Sequence, residues 1–170
     1  MKNMKIACAL LFFIVFQSCC SPFMNCEDDF VEPVSRYEPV FLNRAEFNNS
    51  VALKNSISIG TTGKIYVKEN FLFINELYKG FHVYDNSDPT NPTSFKFIAA
   101  PGATDMAIRS NMIYINQATD LIAVEYNPAT NAIALAKRIP DTFPVLRSPD
   151  GDFAFDVPEN TVVIDWKLKN

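Results

Sequence analysis

From Gly63 onward, the chain alternates short apolar and aromatic runs with short polar turns. Such runs, rich in β-branched and aromatic residues and bounded by Asn, Asp, Gly or Pro, are typical of β-strands. The pattern predicts two successive groups of four strands. The first group is Lys64–Lys68, Phe71–Ile74, Phe81–Tyr84 and Ser94–Ile98, and the second is Met106–Arg109, Met112–Ile115, Leu121–Glu125 and Ile133–Ile139.

The two groups of strands are copies of each other. The segment NFLFIN, residues 70–75, returns as NMIYIN at residues 111–116, which is 41 positions further on. The turns before them, Glu69-Asn70 and Ser110-Asn111, repeat at the same offset, and Asn tolerates the left-handed backbone of tight hairpins. A period of about 40 to 45 residues with four strands is typical of propeller blades. We therefore predict tandem four-stranded antiparallel sheets, with repeats at about 64–104 and 105–144.

A third, shorter copy follows at residues 145–170. Its predicted strands are 145–147, 153–156 and 161–166. A closed propeller takes about 4 to 8 blades, so two full copies and one partial copy are not expected to close. Three arrangements stay open: an open stack covered by the N-terminal segment, a third sheet completed by a strand from residues 50–59, or a short chain that pairs with a partner. We favour the second, because the apolar residues at 51–53 and 57–59 have no other use.

The repeat also makes an expectation about burial. Residues at the same position of a repeated strand are expected to face the same way in both sheets. We therefore expect matching burial for the three pairs Leu72 with Ile113, Phe73 with Tyr114, and Ile74 with Ile115.

One segment of the body carries a helix pattern. Asn43 is a good N-cap with Glu46 three residues later, and Phe47 and Val51 follow at helical spacing. We predict a short helix from Arg44 to about residue 53. The expected fold is all-β with one short N-terminal helix, in a domain that spans residues 40–170.

Residues 1–39 differ from the body. Lys2 and Lys5 precede an apolar run of eleven residues, 6–16, which is shorter than the ~18 needed to span a membrane, so we predict a signal peptide at 1–18 rather than a retained anchor helix. The following Phe-Gln-Ser-Cys resembles a bacterial lipobox, which implies that Cys19 is lipidated, with Cys20 as the alternative. Residues 19–39, with an acidic run and three prolines, are predicted to be a lipid-anchored flexible tether.

Charge and cysteine content exclude several classes of protein. The chain has 15 basic and 19 acidic side chains, and loss of residues 1–18 removes two lysines and no acid, which changes the formal charge from −4 to −6. An acidic body argues against nucleic-acid partners and against binding an anionic membrane through a basic patch. The chain has four cysteines and none after Cys26, so the body has no disulfide framework. The protein is therefore expected to attach to the membrane through the lipid on Cys19.

Catalytic and metal chemistry have few candidate residues. His82 is the only histidine and is interpreted as a partly exposed strand residue, and a body without Cys does not suit zinc. We expect no metal and no cofactor. Paired carboxylates for glycoside hydrolysis stay open, because distant side chains meet only in three dimensions. The candidates are Asp105, Asp120, Asp156 and Asp165.

Five residues are candidates for binding a partner. Lys68, Arg109 and Arg147 each end the first strand of a copy, so stacked sheets would place three cations along one rim. The alternative is that they only block edge pairing between sheets. Tyr78, in a turn, and Trp166, the only tryptophan, are aromatic residues suited to stacking on a sugar or a peptide.

A family resemblance rests on two segments. GFHVYDNSDP, residues 80–89, and PGATDMAI, residues 101–108, resemble the LVIVD-repeat proteins of bacterial envelopes, over roughly residues 64–140. The resemblance implies blade-like repeats. We predict a non-enzymatic envelope lipoprotein whose body binds a protein or glycan partner, in the outer membrane because Cys20 rather than Asp follows Cys19. The alternatives are a carbohydrate-active enzyme that uses Asp carboxylates and a purely structural domain.

Overall fold

A computed structural model describes residues 35–127, 130 and 132–170. The predicted signal peptide, Cys19, Cys20 and residues 21–34 of the predicted tether lie outside the described residues. Strands make up most of the regular secondary structure of the described part, which also has one short α-helix. The strands are β1 (Tyr37–Asn43), β2 (Ala52–Asn55), β3 (Thr62–Lys68), β4 (Phe71–Glu76), β5 (Gly80–Asp85), β6 (Thr93–Ala99), β7 (Ala103–Arg109), β8 (Met112–Gln117), β9 (Asp120–Asn127), β10 (Ala132–Ile139) and β11 (Thr161–Leu168), and the helix is α1 (Arg44–Asn48).

The strands form three antiparallel sheets. Sheet 1 has the order β2-β6-β5-β4-β3, sheet 2 has the order β10-β9-β8-β7, and sheet 3 consists of β1 and β11. The eight strands predicted for the two full copies are all present, as β3–β6 and β7–β10. The prediction of an all-β fold with tandem antiparallel sheets that do not close is confirmed.

The hydrogen-bond register of the first hairpin is the same in sheets 1 and 2. Ile65 of β3 lies opposite Ile74 of β4, and Met106 of β7 lies opposite Ile115 of β8, with both partners shifted by 41 positions. Both hairpins turn through two residues with a non-glycine residue at positive φ, Glu69 in sheet 1 and its equivalent Ser110 in sheet 2.

The second hairpin differs between the sheets by one residue. Glu76 pairs with Gly80 across a three-residue turn, whereas Gln117 pairs with Asp120 across a two-residue turn. Positions of β5 therefore correspond to positions of β9 that are 40, not 41, residues further on.

Sheets 1 and 2 pack on each other through opposite faces. Phe73 of sheet 1 and Ile115 of sheet 2 both belong to the shared core. Yet Tyr114, the equivalent of Phe73, and Ile74, the equivalent of Ile115, are only half-buried. The predicted match of burial between equivalent positions is therefore wrong. Repeats stacked in one direction press the front of one unit against the back of the next, so a stack of two sheets covers opposite faces of its two members.

Sheet 3 departs from the sequence prediction. β11 is the only strand that forms in the third copy, because residues 145–147 and 153–156 have no regular structure. Its partner is β1, which begins inside the predicted tether, with Tyr37 opposite Leu168. The strand expected from residues 50–59 is β2, but β2 pairs with β6 in sheet 1. The sequence pattern did not predict β1, because Pro39 argues against a strand. Edge strands such as β1 nevertheless tolerate proline.

The helix is shorter than predicted, and its buried side chain packs against sheets 2 and 3. The side chain of Asn43 accepts a hydrogen bond from the backbone N–H of Ala45, which caps the helix start. Phe47 is fully buried in a second apolar cluster with Ala118 and Val162. In the part of the chain that the structure describes, no helix is long and apolar enough to cross a membrane.

Candidate functional site

An open cleft of ≈ 490 Å³ is formed by β11 and the irregular segment 140–160. Aliphatic and aromatic side chains make up most of its lining, and a few polar groups complete it. A concave apolar site with a few polar groups is typical of ligand-binding sites. The lining residues are Val145, Phe153, Ala154, Val157, Val162 and Val163, together with Arg44, Thr119, Asp141, Asn160 and Thr161.

The cleft follows an unpaired edge of β11. Adjacent residues of a strand point to opposite faces, so a cleft that contacts both Val162 and Val163 runs along the edge of the strand. β1 pairs with the other edge, and within the described ranges no strand pairs with this one. In sheets 1 and 2 the corresponding strands, β5 and β9, have partners on both sides. We infer that the cleft lies where a further strand of sheet 3 would pair with β11.

The irregular segment exposes several large apolar side chains. Val145, Phe153 and Val157 line the cleft and are each 45 to 49% exposed. Phe155, in the same segment, is 78% exposed and does not line the cleft. Exposed apolar groups gathered at one place on a surface mark interaction sites, so the three residues of the lining are candidates for partner contact.

A buried carboxylate fixes Arg44 at the cleft. Asp120 has no exposed surface, and its Oδ2 accepts hydrogen bonds from Arg44 Nη2 at 2.7 Å and from Arg138 Nη1 at 2.9 Å. Burial alone raises the pKa of Asp120, but the hydrogen bonds from Arg138 and Arg44 outweigh it and hold the pKa below its usual value. Asp120 therefore stays ionised and keeps both guanidinium groups in place.

The same cluster joins α1 to sheet 2. The ring of Phe47 has the guanidinium carbons of Arg44 and Arg138 at 5.4 and 4.9 Å from its centre, a cation–π arrangement. Gln117 accepts a hydrogen bond from Arg138 and donates one to Ser50. The sequence pattern alone does not reveal this cluster. Its signal was the polar residue that follows the repeated Asn, Glu76 in one copy and Gln117 in the other.

The equivalent place in sheet 1 holds a second buried polar group. His82, predicted to be partly exposed, is fully buried, and its Nε2 lies 3.1 Å from Oε2 of Glu76. That prediction is wrong, because the ring packs against Phe97, with ring centres 5.0 Å apart, and contacts the buried Glu76. The carboxylate of Glu76 also accepts hydrogen bonds from the N–H groups of the segment at Gly60 and Thr61. Burial raises the pKa of Glu76, but the bonds from Gly60, His82 and Thr61 lower it to about 2. The pair anchors this segment to sheet 1.

Three of the four candidate carboxylates have separate surroundings. Asp105 accepts hydrogen bonds from Lys64 and Tyr66 across the junction of sheets 1 and 2, and these bonds lower its pKa against the effect of burial. Burial and the bond to Asp105 raise the pKa of Tyr66 to about 12. Asp120 belongs to the arginine cluster, and burial raises the pKa of Asp165. Asp105 and Asp120 therefore do not form the pair with one raised pKa that glycoside hydrolysis uses.

The three predicted cations do not all lie at strand ends. Lys68 and Arg109 end β3 and β7 as predicted, and Lys68 pairs with Glu69. Arg147 lies in the irregular segment, where its guanidinium carbon is 3.9 Å from the ring centre of Phe153. A rim of three strand ends is therefore wrong, because residues 145–147 form no strand.

The two aromatic candidates lie outside the cleft lining. Trp166 was predicted to be available for stacking, but it is buried and its Nε1 donates to the carbonyl of Leu146. That prediction is wrong, since Trp166 is part of the packing between β11 and the irregular segment. Tyr78 is half-buried in the β4–β5 turn, and burial together with the charge of Asp165 raises its pKa.

The described residues contain no group of three or more His, Cys, Asp or Glu side chains that would hold a metal ion. No family model, curated protein or solved structure matches the chain. The resemblance to LVIVD-repeat proteins therefore stays a prediction from the sequence.

Proposed function

We propose that the protein is a non-catalytic lipoprotein of the bacterial cell envelope whose cleft at β11 binds an extended apolar segment of a partner protein. The observation that carries the binding role is the cleft itself, an apolar groove along the unpaired edge of a strand. An extended segment placed there adds a strand to sheet 3. Its backbone bonds to β11 and its alternate side chains enter the apolar lining.

The lining favours a peptide over a glycan. Sugars stack on open aromatic faces, but among the described residues Phe153 is the one aromatic member of the lining, and the guanidinium of Arg147 covers its ring. Valine and alanine side chains make up the rest of the apolar surface. Such a surface suits the aliphatic side chains of a β-strand.

We expect Val157→Glu to weaken peptide binding by about tenfold or more, because a charge placed in an apolar site loses hydration without gaining a partner. The probe is a set of labelled octapeptides that alternate Val or Ile with Ser or Thr, and fluorescence polarisation gives the Kd. Phe155→Glu is the matched control, since Phe155 lies in the same segment, outside the lining, and is more exposed. We expect its Kd to equal that of the parent.

If Val157→Glu and the parent bind the octapeptides with equal Kd, the cleft is not the binding site. Binding of oligosaccharides on a glycan array, with none of the octapeptides bound, would replace the protein partner with a glycan.

The proposed lipid anchor and membrane location rest on the lipobox-like segment before Cys19. We expect Cys19→Ser, expressed in a bacterial host, to remain unprocessed and to leave the detergent phase in a phase-partition assay. The matched control, Cys20→Ser, is expected to partition with the detergent and to appear in the outer-membrane fraction, as the parent does. Detergent partition of both variants at the parental level argues against a lipid anchor at this site.

A further inference from the structure

Four aliphatic side chains form a patch on the outer face of sheet 1, which we name the outer quartet: Ile65, Val67, Leu72 and Ile74. Ile65 lies opposite Ile74 and Val67 opposite Leu72, and residues two apart on a strand share a face, so the four are neighbours. Ile65 is 62% exposed and Val67 is 66% exposed. Exposed aliphatic side chains in one patch are costly in water, and such patches mark interaction surfaces.

The outer quartet occupies the same repeat positions as four residues at the centre of the molecule. In sheet 2, the residues 41 positions further on pack against sheet 1 and are buried or half-buried in the shared core. The same kind of side chain is therefore internal in one copy and exposed in the other. The four equivalents are Met106, Ile108, Ile113 and Ile115.

The sheet 1 surface that covers those four residues has an equivalent in sheet 2, and this equivalent is exposed or half-buried. Within the chain, they pack against Tyr66, Phe73, Phe81 and Val83 of sheet 1. The register places the equivalents of this covering surface on the far face of sheet 2, where they are half-buried or exposed. Three of them line an open hollow of ≈ 300 Å³. These equivalents, which we name the far face, are Ala107, Tyr114, Leu121 and Ala123.

We propose that a second copy of this chain stacks its far face on the outer quartet and so continues the sheet 1–sheet 2 interface from one molecule to the next. Each molecule has the outer quartet on one side of the stack and the far face on the other. The contact is therefore head to tail, and its repetition closes a ring or extends a chain of molecules. Two full sheets per molecule give a ring of about 4 to 8 blades from two to four copies.

Charge complementarity supports the same pairing. Within the chain, Lys64 of sheet 1 forms an ion pair with Asp105 of sheet 2, and these residues occupy the same repeat position. In the continued interface, Asp105 of the second copy takes the place of Lys64 and meets Lys64 of the first copy. Opposite charges thus face each other again. The side chains of Lys64 and Asp105 are 66% and 42% exposed, so both have surface left for a second partner.

The proposal is tested with two variants of the full-length protein in one mild detergent, by sedimentation velocity over a range of protein concentrations. Val67→Glu changes the outer quartet and Ala107→Glu changes the far face, and both positions are exposed. We expect the parent to associate as its concentration rises and each variant alone to remain a monomer. An equimolar mixture is expected to form a 1:1 dimer, because it keeps one intact outer quartet and one intact far face.

Phe155→Glu, at an exposed position outside both surfaces, is the matched control and is expected to associate as the parent does. Circular dichroism melting curves of the variants identify any loss of fold, and a variant that fails to fold is replaced by Ile65→Gln or Tyr114→Gln. A parent that stays monomeric at every concentration overturns the proposal. Association of Ala107→Glu at the parental level also overturns it, since the quartet then pairs with itself. Vesicle binding that only Val67→Glu loses would assign the quartet to a lipid surface instead.

Discussion

Replacing Asp120 with alanine is expected to lower the free energy of unfolding by about 3 to 5 kcal/mol. The carboxylate is fully buried and accepts hydrogen bonds from Arg44 and Arg138. Without it, two guanidinium groups face each other beside Phe47 with no anion between them. A buried charge that loses its partner costs far more than an exposed ion pair contributes.

Urea unfolding followed by circular dichroism gives the free energy for the parent and for Asp120→Ala. Asp88→Ala is the control, because Asp88 is exposed and its side chain accepts hydrogen bonds from Thr90 within the β5–β6 turn. We expect its cost to stay within about 1 kcal/mol. Equal costs for the two variants would show that the arginine cluster contributes nothing beyond an exposed turn.

The second large effect is expected at the core. Ile115→Ala should lower the free energy of unfolding by about 2 to 5 kcal/mol, because Ile115 is fully buried between sheets 1 and 2 and its truncation leaves a cavity. Ile74 is the same residue type at the same repeat position of sheet 1, but it is only half-buried. Ile74→Ala is therefore expected to cost less than about 1.5 kcal/mol in dilute protein.

The comparison of these two variants tests the direction of stacking. Unequal costs follow from the opposite faces that sheets 1 and 2 use for packing. Equal costs at Ile74 and Ile115 would instead support two sheets that face each other with matching sides, as the sequence alone suggested. Chemical denaturation at one low protein concentration keeps any contact between molecules out of the measurement.

The strands of the two full copies were predictable because their signal is local. Apolar and aromatic runs between turn residues define β3–β6 and β7–β10 without any knowledge of tertiary structure. The buried face was not predictable, because both faces of the first hairpin are apolar: Ile65 and Val67 lie on one side, and Tyr66 and Phe73 on the other. Only the order of stacking decides which side is covered.

The cleft was hidden from the sequence for a different reason. Its lining combines Arg44 and Thr119 with residues from 141 to 163, which are far apart along the chain. The third copy also resembles strands in sequence, since residues 145–147 and 153–156 are short, largely apolar runs on either side of a turn. They remain irregular, although Trp166 of β11 is hydrogen-bonded to Leu146 within them. A strand needs a partner, and a sequence pattern does not show whether one is present.

Sheet 3 has a consequence for how the body folds. β1 and β11 lie near opposite ends of the described chain, and Lys169 Nζ donates to the carbonyl of Ser35, 134 positions earlier. β1 emerges early in synthesis but has no strand partner until β11 has followed it. Contacts of such large sequence separation slow folding, and they leave the early strand edge open in the meantime. A chaperone that shields β1 until synthesis is complete would therefore help this protein more than one whose strands all pair with their neighbours in sequence.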